Sequence, residues 1–146
     1  MRKLVVSTFA SLDGVMQAPG GPEEDPTNGF KWGGWSFHYW DELMNNKLIK
    51  IMSNPHDLLL GRRTYEIFAA YWPYQNDMIG EKFNRINKYV VATTAIDTSW
   101  EKSVLIKSDV VNELKKLKQQ DGPDLLVHGS SRLIQTLFAA ILMVRF

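Results

Sequence analysis

The sequence predicts an α/β fold in which helices cover both faces of a mainly parallel central sheet. Short apolar, β-branched segments alternate along the chain with segments whose apolar residues recur at helical spacing. Twice, such a strand runs through a glycine directly into a helix, which is typical of βαβ units and hence of parallel sheets. The 146 residues have the length of one ordinary domain, and we expect a single domain spanning residues 1–146.

The first third of the chain predicts one strand, one long loop and one helix. The apolar segment Leu4–Phe9 is the strand, and it ends at a Ser-Leu-Asp-Gly turn, residues 11–14. Residues 17–36 lack periodicity and are rich in proline and glycine, so we expect a long loop there. A loop of this length is typically a lid or disordered, and its tryptophans favour a lid. Ser36 can then cap a helix that ends at Asn54-Pro55.

The rest of the chain continues the alternation of strands and helices. The predicted strands cover residues 57–60, 88–94, 104–106 and 125–127. The predicted helices begin at Gly61, around Ile79, at Val110 and after Gly129, and prolines at 73 and 123 mark the ends of two of them.

The composition argues against several classes of partner. Lys and Arg number 17 against 16 Asp and Glu, so the formal charge of +1 provides no broad field to attract nucleic acid or an acidic membrane surface. No segment has the pattern of a secretory leader or the length of a membrane span. The absence of cysteine excludes disulfides and thiolate–zinc sites and is compatible with a cytoplasmic protein. The three histidines lack the spacing of metal ligands, so we expect no metal.

One of the predicted strand–helix turns has the composition of a phosphate site. In open α/β sheets, ligands bind beyond the carboxyl ends of the strands, where helix N-termini present unpaired N–H groups and a partial positive charge to anions. The turn consists of Gly61, Arg62, Arg63 and Thr64. Its glycine permits close approach of the backbone, and its guanidinium and hydroxyl groups can bind phosphate. The same residues also fit a plain turn with two solvated arginines.

A second turn occupies the equivalent place after a later strand. It consists of His128, Gly129, Ser130, Ser131 and Arg132. Its serines can cap the following helix or bind an anion, since both roles use the same unpaired N–H groups. A third strand ends in Thr93 and Thr94, which could hydrogen-bond a ribose or a 2′-phosphate or form only a polar turn.

Taken in order, four motifs resemble those of the dihydrofolate reductase-like superfamily. They are Ser-Leu-Asp-Gly at 11–14, Gly-Arg-Arg-Thr-Tyr-Glu at 61–66, Thr-Thr at 93–94 and His-Gly-Ser-Ser-Arg-Leu at 128–133. From Lys3 to Phe138 the chain looks closest to the reductase domain of the bifunctional riboflavin-biosynthesis deaminase-reductase and to its stand-alone bacterial relatives. The resemblance implies a three-layer α/β fold and an NADPH-dependent reductase of a small nitrogen heterocycle. The ribosylaminopyrimidine of riboflavin synthesis is the nearest named substrate, and a relative outside that pathway, with another substrate, is an equal alternative.

The resemblance also implies roles for individual residues. Arg62, Arg63 and Thr64 would hold the adenosine phosphates of NADPH, Thr93 and Thr94 would lie near its 2′-phosphate, and Gly129 to Arg132 would wrap the pyrophosphate. Ser130 departs from the dihydrofolate reductases proper, which have a second glycine there, although riboflavin-type relatives tolerate serine. The substrate carboxylate of those enzymes has no counterpart in clear register, so a folate reductase is not expected.

The reaction implied by the resemblance is hydride transfer to a C=N or C=O carbon, which requires alignment and a proton from the protein. Asp13, after the first strand, and Asp41, on the first helix, are the candidate proton donors. A bound water could replace both, and Asp13 also fits a plain turn. Trp32 and Trp35 suit stacking on a flat heterocycle, or simple packing.

The C-terminus departs furthest from the resemblance. Relatives continue after the last helix into strands that complete the sheet and often the dimer, whereas this sequence stops at residues 141–146. We therefore expect the final strands to be missing, a sheet edge to be uncovered and the protein to form a homodimer. The missing strands and the lack of a clear acid leave a noncatalytic nucleotide-binding or dimerisation module as the alternative. A phosphate-ester hydrolase is a third hypothesis.

Overall fold

A computed structural model describes residues 1–140 and 144–145 of the chain. Six parallel strands form one sheet in the order β4-β3-β2-β5-β1-β6. The strands are β1 (Leu4–Ser7), β2 (His56–Gly61), β3 (Lys88–Val91), β4 (Ser103–Ile106), β5 (Asp124–His128) and β6 (Val144–Arg145). The helices are α1 (Glu42–Ser53), α2 (Arg62–Tyr71), α3 (Met78–Arg85), α4 (Val110–Gln119) and α5 (Ser131–Ala139).

The chain divides into two compact units. The first consists of Met1–Ser7 and the chain from Pro55 onward, and it contains the sheet and helices α2 to α5. The second consists of Thr8–Asn54 and contains α1 together with the long segment that precedes it.

The centre of the sheet is buried on both faces. Every residue of β2 from His56 to Leu60 is buried, without the alternation that a half-exposed strand would show. The middle of β5, residues 125–127, is buried in the same way. Continuous burial of this kind is expected for the inner strands of a parallel sheet that has helices on both sides.

Helices α2 and α5 pack on opposite faces of this sheet. Successive residues of a strand point to opposite faces of the sheet. The last two residues of β2, Leu60 and Gly61, therefore face opposite sides. The register of β2 with β5 ends at Leu59 and Val127, so the next residue of β5, His128, faces the same side of the sheet as Leu60. The ring centroid of His128 is 5.6 Å from that of Phe68 on α2. A Cβ added to Gly61 would instead lie 3.8 Å from the Cβ of Leu133 on α5. The predicted α/β fold, with helices on both faces of a parallel sheet, is confirmed.

The amino ends of four strands meet at a buried ion pair. The Arg2 guanidinium, just before β1, donates a short hydrogen bond to the carboxylate of Asp57 on β2, and the side chains are only 2% and 5% exposed. Arg2 Nε also donates to the carbonyl oxygen of Pro123, before β5, at 2.6 Å. Asp57 Oδ1 accepts the backbone N–H of Asn87, before β3, at 3.1 Å. This cluster lies at the end of the sheet opposite to the strand–helix turns.

Residues 17–36 form neither an α-helix nor a strand, but they are hydrogen-bonded among themselves. The side-chain amide of Gln17 donates to the carbonyl oxygen of Thr27 at 3.0 Å. Trp35 Nε1 donates to the carbonyl oxygen of Gln17 at 2.9 Å, and the backbone N–H of Gly34 donates to the carbonyl oxygen of Ala18 at 2.8 Å. These bonds close the segment on itself.

The prediction that Ser36 caps the first helix is wrong. The Ser36 hydroxyl donates to the carbonyl oxygen of Pro19 at 2.7 Å and makes no capping hydrogen bond. Asp41 is the N-cap of α1, and its carboxylate accepts the backbone N–H of Met44 at 2.7 Å. Serine and aspartate are both good N-caps, so residue preference alone does not decide between Ser36 and Asp41. The hydrogen bond to Pro19 occupies the Ser36 hydroxyl, and Asp41 caps the helix instead.

The expectation that no strand follows α5 is also wrong. Val144–Arg145 form β6, which pairs in parallel with β1 in the register Leu4↔Val144 and Val5↔Arg145. The added strand is only two residues long, and residues 141–143 and 146 lie outside the described part of the chain.

Candidate functional site

The two turns that the sequence singles out are neighbours in the structure. β2 and β5 are adjacent and parallel, and Leu59 pairs with Val127. The carboxyl end of β2 therefore places Gly61 beside Gly129, although 68 positions separate them in the sequence. Since β1 and β2 lie on either side of β5 and are not themselves paired, this is a point where the strand order departs from the sequence order. Ligands of open α/β sheets bind in the crevice at such points.

Direct hydrogen bonds join the two turns. The backbone N–H of Gly61 donates to Ser130 Oγ at 2.9 Å. In return, the backbone N–H of Ser130 donates to Thr64 Oγ1 at 3.1 Å. The turn after β5 is also tied to β1, because the backbone N–H of Gly129 donates to the carbonyl oxygen of Ser7 at 3.2 Å. The ends of β1, β2 and β5 are thus connected at one surface.

Gly129 occupies a position that only glycine fits well. Its φ is +56°, in the left-handed region that side chains disfavour. A Cβ at this position would lie 3.3 Å from Thr64 Oγ1 and 3.5 Å from Thr64 Cγ2. The glycine therefore lets the turn after β5 approach the start of α2.

Helices α2 and α5 begin at this surface without side-chain caps. Gly61 and Ser130 are their N-cap residues, and neither makes a capping hydrogen bond. By contrast, Asp41 caps α1 and Asp77 caps α3, whereas α4 resembles α2 and α5 in lacking a side-chain cap. Uncapped first turns leave backbone N–H groups for water or for an anion.

Arg62 links this surface to the end of β3. Its Nη1 donates to Thr94 Oγ1 at 2.6 Å, and its Nε donates to Glu66 Oε1 at 2.8 Å. The side chain of Arg62 is half exposed, at 51%, so its charge remains accessible to a ligand. Arg63, Thr93 and Arg132 are also exposed. The structure thus adds Glu66 to the predicted residues, and its spacing four residues after Arg62 on a helix could have indicated the pair.

His128 contributes a neutral ring beneath the turn. Its Nδ1 is buried, and the ring packs against Phe68. Burial, assisted by the charge of His56, lowers the pKa of His128 to about 4. The imidazole is therefore uncharged near neutral pH, and its contribution to the site is packing and the position of its backbone carbonyl.

The other predicted site residues belong to the second unit. Asp13 is exposed in a turn, where its carboxylate accepts a hydrogen bond from the Ser11 hydroxyl. Asp41 is the helix cap described above. Trp35 is held by its hydrogen bond to Gln17, whereas Trp32 is 71% exposed.

The first unit also has an open cleft of about 660 Å³ beside α2, and it does not coincide with the joined turns. Its lining includes three carboxylates, from Glu66, Asp97 and Glu101, and no lysine or arginine. This sign of charge is unsuited to phosphate, so the surface at the ends of β2 and β5 is the better candidate site for an anionic ligand.

Among residues 1–140 and 144–145, no group of three or more histidine, aspartate or glutamate side chains is placed to hold a metal ion. Within the same part of the chain, no helix is both long and apolar enough to cross a membrane.

Similarity to known proteins was found at the levels of family, sequence and fold. Residues 2–145 match the model of the family described as the RibD C-terminal domain. The uncharacterized protein YyaP of Bacillus subtilis (strain 168) is 22% identical over an alignment of 144 residues, which covers 92% of this chain and 66% of that protein. A dihydrofolate reductase from Enterococcus faecalis, complexed with NADP(H) and RAB-propyl, matches with a TM-score of 0.55 and 18% identity, over 94% of this chain and 65% of that one. The chain spans just under two thirds of each of these proteins, and at this identity the likeness to the reductase is one of fold.

Proposed function

This chain belongs to the RibD C-terminal domain family, and we propose that it is an NADPH-dependent reductase of a small nitrogen heterocycle. The substrate class is the one that the family resemblance implies. It is either 5-amino-6-(5-phosphoribosylamino)uracil or the substrate of a related enzyme that acts on another heterocycle.

The observation that carries the proposal is the joining of the two turns at the ends of β2 and β5. A dinucleotide presents several phosphates along one extended molecule, and it needs adjacent anion sites rather than a single one. Here two helix N-termini without side-chain caps lie next to each other, with the Arg62 guanidinium at one side. Such a surface combines helix-terminal N–H groups with a cation that can make charge-assisted bonds to phosphate.

The cofactor would be distributed over this surface as follows. Gly129, Ser130, Ser131 and Arg132, with His128 before them, would form the pyrophosphate side, and Gly61, Arg62, Arg63 and Thr64 the adenosine side. Thr93 and Thr94 would lie near the 2′-phosphate, and the hydrogen bond from Arg62 to Thr94 supports their grouping with the arginines. The enterococcal reductase that shares this fold was solved with NADP(H), which supports the choice of cofactor.

When bound, NADPH supplies the hydride that reduces a C=N or C=O carbon. The protein would supply alignment and a proton. We propose Asp13, Asp41 or a water as the source of the proton, and Trp32 and Trp35 as residues that stack on the heterocycle. Of the two carboxylates, Asp41 already has a structural task as the cap of α1, and Asp13 accepts one hydroxyl hydrogen bond.

A noncatalytic nucleotide-binding or dimerisation module is not favoured, because the match to the RibD C-terminal domain family and the dihydrofolate reductase-like fold both support a reductase. We further propose a cytoplasmic homodimer. The short strand β6 is the outermost strand of the sheet beyond β1 and pairs with two of the four residues of β1. Unpaired backbone groups at such an edge can pair with a second chain. Sedimentation velocity at several protein concentrations would test the dimer, and a monomer at all of them would contradict it.

Titration of the protein with NADPH and with NADH, followed by tryptophan fluorescence, tests the cofactor proposal. We expect binding of both and tighter binding of NADPH, because the arginines would contact its 2′-phosphate. If neither dinucleotide binds, the reductase proposal is wrong. If NADPH binds, the loss of its absorbance on oxidation in the presence of candidate aminopyrimidines would identify the substrate.

A further inference from the structure

Ser130 has a left-handed backbone conformation, and its hydroxyl both accepts and donates a hydrogen bond within the protein. Its φ and ψ are 59° and 48°, the left-handed conformation that residues other than glycine rarely adopt. Its hydroxyl accepts the backbone N–H of Gly61 at 2.9 Å and donates to the carbonyl oxygen of His128 at 3.0 Å. Its own backbone N–H donates to Thr64 Oγ1 at 3.1 Å.

The hydrogen-bonding capacity of a serine decides what Ser130 can do. A hydroxyl has one proton to donate, and that of Ser130 is given to His128. An anion accepts hydrogen bonds and donates none, so the Ser130 hydroxyl has no proton left for a phosphate. Thr64 is in the opposite situation, because the bond from Ser130 uses only an acceptor position of its hydroxyl. The Thr64 hydroxyl can therefore still donate.

We propose that Ser130 is a positioning residue that, together with Thr64, clasps the two turns at the spacing a dinucleotide needs. This Ser130–Thr64 clasp consists of the hydrogen bonds Gly61 N–H to Ser130 Oγ and Ser130 N–H to Thr64 Oγ1. The inference rests on the proposed cofactor site, but it assigns Ser130 an action through the protein rather than through its own contact with phosphate. It also accounts for serine here, since glycine would relax the backbone and lose the hydroxyl.

The geometry of the surrounding strands shows why a clasp is needed. The parallel pairing of β2 with β5 brings Gly61 and Gly129 side by side. This pairing fixes the spacing of the backbone only within the strands, and both strands end at or just before these residues. Beyond the last strand residues, the separation of the two helix starts depends on contacts between the turns themselves. The clasp bonds are contacts of this kind, and they join residues 69 and 66 positions apart in the chain. Binding sites whose parts are held in place before the ligand arrives bind more tightly, because less freedom is lost on binding.

The test measures the clasp without cofactor and then measures its effect on binding. Amide hydrogen exchange, followed residue by residue by NMR in the cofactor-free protein, reports whether the Gly61 N–H is hydrogen-bonded. We expect its exchange to be slow in the unmodified protein and about tenfold faster in Ser130→Ala. Ser130→Gly should show the same acceleration although its backbone is relieved of strain, so it separates the lost hydroxyl from poor folding. Ser108→Ala, an exposed serine before α4, is the matched control and should change neither exchange nor binding.

The second readout is the affinity for both dinucleotides. In Ser130→Ala and Ser130→Gly, the Kd values for NADPH and NADH should rise by the same factor, about three- to tenfold, because the pyrophosphate is common to both. Thr64→Val should accelerate exchange of the Ser130 amide, whereas Thr64→Ser, which keeps the acceptor oxygen, should not.

Each result decides the inference. Unchanged exchange of the Gly61 amide in both Ser130 variants would overturn the clasp, and faster exchange with unchanged Kd values would overturn its role in binding. If the clasp is present by exchange but no dinucleotide binds even to the unmodified protein, then the proposed function fails, and the positioning role fails with it while the structural clasp stands.

Discussion

Arg62 donates a 2.6 Å hydrogen bond from Nη1 to Thr94 Oγ1 and thereby joins the first turn of α2 to the residues that follow β3. The two residues are 32 positions apart, so the fold brings the contact about. The opposite edge of the same guanidinium is held by Glu66, through Nε. A side chain held at two points loses less freedom when a phosphate binds to it than one that moves freely.

Joint replacement of both arginines, Arg62→Ala with Arg63→Ala, should weaken the binding of NADPH by roughly 2–4 kcal/mol, because charge-assisted hydrogen bonds to the phosphates are lost. NADH, which lacks the 2′-phosphate, should be affected less. Fluorescence titration of both cofactors measures the difference. Lys115→Ala on the exposed face of α4 is the control for loss of surface charge. An equal loss for NADPH and NADH would count against the assigned contact with the 2′-phosphate.

Gly129→Ala should lower the free energy of unfolding by about 1–3 kcal/mol, and it should weaken the binding of both NADPH and NADH. The substitution places a side chain at φ +56° and brings its Cβ to 3.3 Å from Thr64 Oγ1. Gly29→Ala is the matched control, because Gly29 has a similar φ of +70° but no atom within 4 Å of an added Cβ. It should show only the backbone cost, about 1–2 kcal/mol. Equal destabilisation of the two variants in urea unfolding would mean that the contact with Thr64 contributes nothing.

The stability of the protein should fall as the pH is lowered from about 6.5 toward 4. The pKa of His128 is near 6.5 when unfolded and is lowered to about 4 in the fold, so over this interval only the unfolded chain takes up the proton. The stabilisation that comes from keeping His128 neutral is fully present above about pH 6.5, and it adds roughly 3 kcal/mol at most to the free energy of unfolding. Urea unfolding at pH 7 and at pH 4.5 measures it. His128→Gln should show a smaller difference between the two pH values, and the exposed His38→Gln should behave like the unmodified protein.

The alternation of strands and helices could be predicted from the sequence because it depends on local periodicity and on glycine at strand ends. The resemblance based on the four motifs is confirmed by the family match over residues 2–145. What could not be predicted depends on distant partners. The bond between Thr64 and Ser130 requires that β2 and β5 be neighbours, and β6 forms only because β1 lies beside it. Ser36 and Asp41 are equally good caps by residue type, and only the contact with Pro19 separates them.

The buried ion pair at the other end of the sheet should matter for stability and not for binding. Asp57→Ala should reduce the free energy of unfolding by about 3–5 kcal/mol, because it leaves the buried Arg2 guanidinium without its counter-charge. Glu81→Ala breaks the exposed pair with Arg85 and should cost no more than about 0.5 kcal/mol. Thermal unfolding of both variants makes the comparison. A similar small loss in both would show that the Arg2–Asp57 pair is dispensable.

The cap at Asp41 and its candidate role as proton donor can be separated by substitution. Asp41→Ala should lower the free energy of unfolding by about 1 kcal/mol, since the N–H of Met44 loses its acceptor. Asp41→Ser should recover most of that stability, because serine caps helices nearly as well but is not an acid at neutral pH. If Asp41 acts only as a cap, Asp41→Ser will also retain kcat for the heterocyclic substrate. A stable Asp41→Ser protein whose kcat falls about a hundredfold or more, with Asp13→Asn unchanged, would instead assign the proton to Asp41, since positioned acids contribute factors of this size.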